Sequence, residues 1–256
     1  MGDRMVLADK IVHYLNRYLE IGKIKDYGVN GLQVSGKDEV RKIVLGVSAS
    51  LELFQEAVKR NADMIIVHHG LFWETGRGRI DKVMKERLKI LFDNDITLLA
   101  YHLPLDKHPK VGNNAQILKR LGLEFIKQFG EHDRQYIGAL GELKNAVTFE
   151  EFVKRINKVL DTNSLAFNYG PKVVKTVGIV SGGGGGWIVE AADKNVDVFV
   201  TGEPKEFAQH FAKDGKVNMI VAGHYKTERF GIQALGELLK RKFNVKTEFI
   251  DVGCDI

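Results

Sequence analysis

Two adjacent histidines, His68 and His69, close the apolar run MIIVHH, and Gly70 follows them. Two more stand four residues ahead of an acid, in His102-x-x-x-Asp106 and His224-x-x-x-Glu228. All four histidines fall at the carboxyl ends of predicted strands, where open α/β sheets build ligand sites. On a helical turn, residues i and i+4 share a face and can converge on one ion. In an extended chain the same pair would lie roughly 13 Å apart, at about 3.3 Å per residue, so the chain must turn just after each strand. Pro104 suits such a turn. These six nitrogen and oxygen ligands exceed what one tetrahedral ion takes. They suit two divalent ions roughly 3.5–4 Å apart, bridged by a carboxylate. Imidazole and carboxylate without thiolate select zinc, iron, manganese, cobalt or nickel. Successive side chains on a regular strand point to opposite faces. His68 and His69 are therefore expected to serve different ions, with Gly70 letting the strand end there.

The other histidines have plainer roles. His13 lies on the first amphipathic helix, His132 in a polar loop and His210 on a helix, while His108 faces solvent near Asp106. The turn SGGGGGW (181–187) presents successive glycine N–H groups ahead of a helix, an arrangement that can cradle an anion. It lacks the GK[ST] ending of a Walker sequence. Ser181, Gly182, Gly183 and Trp187 are thus candidate substrate contacts, set against a tight turn at a crowded interface and a core position for Trp187. Glu74 is a candidate general acid or base, with an exposed loop carboxylate as the plainer reading. No catalytic residue is assigned.

Positioning these groups falls to alternating strands and helices. Strands are predicted at 42–48, 63–68, 96–101, 174–180, 196–201, 217–222 and 246–252. Helices are predicted at 6–21 and near 51–61, 80–93, 112–121, 149–160, 187–195, 204–213 and 228–240. Continuous apolar strands between helices give an α/β fold with mixed or parallel sheets covered on both faces. Residues 123–172 break this rhythm with polar turns and a hairpin-like RQYIGALGEL. The division that follows is an N-terminal α/β lobe at 1–125, a connecting segment at 126–172 and a C-terminal α/β lobe at 173–256. The lobes resemble each other: 44–70 and 177–203 both read as strand, small-residue turn, helix and an Asp near the next strand. LLAYHLPLD (98–106) likewise matches MIVAGHYKTE (219–228).

Bulk composition narrows the classes. The 256 residues are 44% hydrophobic and 28% charged, ordinary for a globular protein with a sizeable core. No stretch approaches the roughly 18 uninterrupted apolar residues of a membrane span. The early charges of MGDRMVLADK do not suit a signal peptide. A single cysteine, Cys254, leaves no internal disulfide and fits a reducing cytoplasm. The net charge of +5 is spread along the chain, which permits nucleic acid as a partner without demanding it.

DYGVNGLQVSG (26–36), IIVHHGLFW (65–73), YHLPLD (101–106), VSGGGG (180–185), VDVFVTGE (196–203) and AGHYKTERFG (222–231) resemble the NIF-three-like family (NGG-one-interacting factor three). Its bacterial members carry the label GTP cyclohydrolase 1 type 2 homologue. The resemblance spans almost the whole chain. It implies a two-lobed α/β protein with a dinuclear metal centre in the cleft between the lobes, and a toroidal homohexamer with the metal sites facing an internal chamber. Carried over by motif, the ligands are again His68, His69, His102, Asp106, His224 and Glu228. The acid after TG varies in the family, so Glu203 receives no role. Two functions follow as expectations. One is a metal-dependent hydrolase acting on a nucleotide or related heterocycle. The other is a ring-shaped scaffold for nucleic acid or protein, with structural metals.

Overall fold

A computed structural model describes residues 5–74 and 79–254. They form two units that interleave along the chain, Met1–Leu105 with Ile232–Gly253 and Asp106–Gly231 with Cys254–Ile256. The first unit opens with β1 (Val6–Leu7) and α1 (Ala8–Tyr18). Helical spacing in α1 buries Ile11 and Leu15 and leaves Asp9, Lys10 and Arg17 exposed. Next come β2 (Gly31–Val34), β3 (Glu39–Val40), β4 (Lys42–Ser48), α2 (Leu51–Lys59), β5 (Met64–His69), α3 (Lys82–Asp93) and β6 (Thr97–Ala100), and α4 (Leu103–Lys107) leads into the second unit. There the chain builds α5 (Asn113–Leu121), β7 (Leu123–His132), β8 (Gln135–Thr148), α6 (Phe149–Leu160), β9 (Leu165–Phe167) and β10 (Val173–Val180). It continues through α7 (Ile188–Asp193), β11 (Val198–Thr201), α8 (Glu206–Asp214) and β12 (Asn218–Val221). α9 (His224–Phe243) starts in this unit; its residues from Ile232 onward belong to the first, as does β13 (Lys246–Phe249).

The first unit's sheet has the order β13-β4-β5-β6-β2, with four parallel strands and β2 antiparallel at one edge. In the second unit the order is β7-β8-β10-β11-β12-β9. Its parallel centre, β10-β11-β12, carries antiparallel strands on either side. β6 and β11 are buried at every residue, which is why they read as unbroken apolar runs. Phe54, Ile65, Val67 and Leu98 anchor one core; Phe152, Val177, Ile179 and Ile220 anchor the other.

The resemblance between the halves extends to atomic detail. Asp63 Oδ2 accepts from the N–H groups of Arg41 (2.9 Å) and Lys42 (3.1 Å), tying the start of β4 to that of β5. Asp197 Oδ2 does the same for Lys175 (2.9 Å) and Thr176 (2.8 Å) at β10 and β11. A left-handed asparagine stands two residues ahead of each, Asn61 at φ 54° and Asn195 at φ 50°.

The units do not follow the consecutive division read from the sequence. Residues 126–172, expected to connect two lobes, supply most of β7, all of β8 and β9, and α6 of the second unit. Asp133 and Arg134, both at positive φ, form the two-residue turn between β7 and β8. α9 starts four residues earlier than predicted, at His224.

Candidate metal centre

In the first unit, β5 and β6 run parallel with Met64 opposite Thr97 and Val67 opposite Ala100, so their carboxyl ends emerge side by side. His68 and His69 end β5, and His102 follows β6. Ring centroids lie 4.7 Å apart for His68–His69, 5.1 Å for His68–His102 and 5.6 Å for His69–His102. One ligand atom from each falls within 4.8 Å of the others, so the trio could hold a metal ion. Gly70 makes this possible: a Cβ there would collide with the Gln33 side chain and with Ala100. Gln33 Oε1 also accepts from Leu71 N–H at 2.7 Å, holding the chain as it leaves the strand.

Each ring is fixed through Nδ1. His68, fully buried, donates to the Tyr101 carbonyl at 2.8 Å, and His102 bonds Asp26 Oδ1 at 2.7 Å. His69 Nδ1 lies 3.0 Å from Ser48 Oγ. A carbonyl or carboxylate can only accept, so Nδ1 of His68 and of His102 carries the proton. In the neutral ring the lone pair then sits on Nε2, the usual arrangement for a metal-ligating imidazole. Trp73 packs nearly edge-on to His102 at 5.0 Å, and its Nε1–H donates to the Gly70 carbonyl at 3.1 Å. Burial alone would raise the Asp26 pKa; hydrogen bonds from His102, Asn30 and the Gly28 N–H outweigh it and hold the pKa at about 2.

In the second unit, the first turn of α9 brings His224 Nε2 to 3.0 Å from Glu228 Oε2, as the i, i+4 spacing required. His224 Nδ1 meets Glu203 Oε1 at 2.6 Å. Burial pushes this imidazole's pKa down, but Glu228 and Glu203 overcome that and raise it to about 9. Asp106 and Glu228 are both buried. Asp106 Oδ1 accepts from Asn113 Nδ2 (2.8 Å) and Ser181 Oγ (3.0 Å). His102 and Asp106 therefore fall in different units, the first with His68 and His69, the second with Ser181 and Asn113.

The start of the glycine turn is tied into the fold. Ser181 N–H donates to Asn114 Oδ1 at 2.9 Å and Gly182 N–H to Thr227 Oγ1 at 3.0 Å, so both point at protein oxygens and away from any anion. Gly182 sits at φ +62°, and a Cβ there would run into the Glu228 carboxylate. Gly183 is exposed with open space around it, and Trp187, half-buried, donates to the Glu131 carbonyl at 2.8 Å. Glu74 is exposed. His108 Nδ1 accepts from the N–H groups of Lys110 (3.2 Å) and Val111 (3.1 Å), a turn-forming role; His13 and His210 are exposed, and His132 ends β7. Sequence reasoning gave Asp26, Asn30, Ser48 and Glu203 no role at the histidines, although Asp26 and Asn30 lie in DYGVNGLQVSG and Glu203 in VDVFVTGE, because none has a spacing relative to the histidine it supports.

Residues 6–255 match the family model for Duf34/NIF3 (NGG1p interacting factor 3). A protein of Haemophilus influenzae called GTP cyclohydrolase 1 type 2 homolog is 44% identical over 239 residues, covering 93% of this chain and 95% of its own. A protein of the same name from Archaeoglobus fulgidus is 40% identical over 98% of this chain and all of its own. Among solved structures, protein ybgI, described as of unknown function, superposes with a TM-score of 0.94 at 39% identity over 98% of this chain and 100% of its own. TTHA1606 from Thermus thermophilus gives 0.89 at 35% identity, again over 98% and 100%. Sequence, fold and the histidine cluster agree, and the chain belongs to the Duf34/NIF3 family.

Proposed function

We propose that this protein holds two divalent metal ions through His68, His69, His102, Asp106, His224 and Glu228 and uses them to hydrolyse a nucleotide or related heterocycle. The observation that carries this reading is the shared treatment of four imidazoles. His68 and His102 are held at Nδ1 by oxygens that can only accept, which leaves Nε2 for a metal, and His69 and His224 are likewise hydrogen-bonded at Nδ1. Buried Asp106 and Glu228 add the carboxylates that a bridged pair of divalent ions requires. The donor set, imidazole and carboxylate without thiolate, fits zinc, iron, manganese, cobalt or nickel. Such ions, when bound, would lower the pKa of water toward about 7 and polarise the oxygen on the carbon or phosphorus under attack. The chain's own part is to fix the ligands: Tyr101 and Asp26 set the tautomers of His68 and His102, and Ser181 and Asn113 orient Asp106. The relatives' name, GTP cyclohydrolase 1 type 2 homolog, supports a purine nucleotide as the first substrate class to assay.

Metal analysis tests the reading. Purified wild type is expected to carry about two divalent ions per chain, as a bridged pair needs. Asp106→Ala and Glu228→Ala are each expected to lose most of that metal, together with any metal-dependent turnover of GTP. Full metal occupancy in both variants would overturn the dinuclear assignment. Turnover that survives both would overturn the hydrolase.

A further inference from the structure

Two carboxylates outside the six ligands are built into the same pattern. Asp26 has a nearly buried side chain, 3% exposed, at which four donors converge. His102 Nδ1 (2.7 Å) and the Gly28 N–H (3.1 Å) reach Oδ1; Asn30 Nδ2 (2.8 Å) and the Leu103 N–H (2.9 Å) reach Oδ2. Asn30 Oδ1 completes the grip by accepting from the His102 N–H at 2.8 Å. The ring and the backbone of His102 are thus both clamped by the segment 26–30. A loop-stabilising Asp would need only the contacts to residues 28 and 30; the bonds to His102 and Leu103 are additional and reach across to the end of β6. In the second unit Glu203, 40% exposed, makes the matching contact with His224 Nδ1 at 2.6 Å.

We infer that Asp26 and Glu203 are positioning residues for His102 and His224, each carboxylate holding its imidazole by Nδ1 so that Nε2 is directed at the metal. The inference rests on the metal reading above and extends it to residues that touch no ion. The carboxylate form is required at Asp26, because its two oxygens take four donors. An amide would turn its own NH2 toward two of them.

The test uses Asp26→Asn and Glu203→Gln, with Asp197→Asn as a control carboxylate whose partners are Lys175 and Thr176. Cobalt(II) alone is the probe, its affinity read by chelator competition and its ligand field by visible absorption. Asp26→Asn and Glu203→Gln are each expected to lose about 10- to 100-fold in cobalt affinity with an altered spectrum. Asp197→Asn is expected to keep wild-type affinity while losing stability. Glu203 is exposed enough that its variant folds even where Asp26→Asn does not. Nitrogen NMR of the metal-free wild type is expected to show His102 protonated at Nδ1, and Asp26→Asn to show mixed tautomers. Folded variants with wild-type affinity and spectrum overturn the positioning role alone, as does a metal-free His102 protonated at Nε2. A wild-type chain that takes up no cobalt overturns the metal reading and this inference together.

Discussion

A histidine can ligate through either ring nitrogen, and the hydrogen bond at the other one decides which. For the proposed ligands His68, His102 and His224 that decision falls to the Tyr101 carbonyl and the carboxylates of Asp26 and Glu203, and the choice of Asp26 has a cost visible in pH. Its carboxyl titrates at about 2 in the folded chain against an ordinary 3.8. A folded pKa below the unfolded one gives stability that is complete above about pH 4 and is lost as pH falls through about 2, worth roughly 2 kcal/mol. Urea denaturation of metal-free wild type is therefore expected to weaken steeply over that window. Asp26→Asn is expected to be less stable by about that amount at pH 7 and to show a flatter profile. Equal slopes would refute the assignment. The candidate ligands were legible in the sequence, because few residue types bind metals and those here cluster at strand ends. The tie from Asp26 was not: it lies 76 residues from His102, and an Asp two residues ahead of Gly28 reads equally well as a turn. Ser181 has a partner that its place in the glycine turn does not announce. Its hydroxyl serves Asp106, a contact that spans 75 residues of sequence.

Between strands, a single carboxylate oxygen does repeated work. Asp63 and Asp197 each satisfy two N–H groups at the head of the neighbouring strand, and Thr176 Oγ1 adds a third bond to Asp197 at 2.9 Å. Removing either acceptor strands those donors at a partly buried edge. Asp63→Ala and Asp197→Ala are each expected to cost about 2 kcal/mol in chemical denaturation, the range for hydrogen bonds to a charged group. A loss below about 0.5 kcal/mol in both would mean that water replaces them. Parallel strands were legible because burial on both faces makes them continuously apolar. β9 was not, with three largely exposed residues at a sheet edge. β7 was hidden by its run of exposed residues from Glu124 to Gln128, and the hairpin turn by Asp-Arg in place of the usual Asn-Gly. The helical turn at His224–Glu228 followed from the i, i+4 spacing but not from apolar periodicity, and Gly223, at φ 91°, lets the chain leave β12 and enter the helix within two residues.

For the whole chain, the proposed homohexamer gives a direct expectation: light scattering in dilute buffer should return six times 28.8 kDa. A single-chain mass would remove it. Among the described residues no helix is long and apolar enough to cross a membrane. Consecutive lobes were the natural division from sequence because the repeated strand–helix pattern is itself consecutive. Nothing in local periodicity reveals that β13 pairs with β4, some two hundred residues earlier. That pairing has a consequence for how the protein is made. Residues 106–231 are contiguous and can fold as they leave the ribosome. The first unit, although it is translated earlier, waits with the backbone edge of β4 open until residues 246–249 arrive. During synthesis the sheet that carries His68 and His69 is thus completed only when the C-terminal strand arrives.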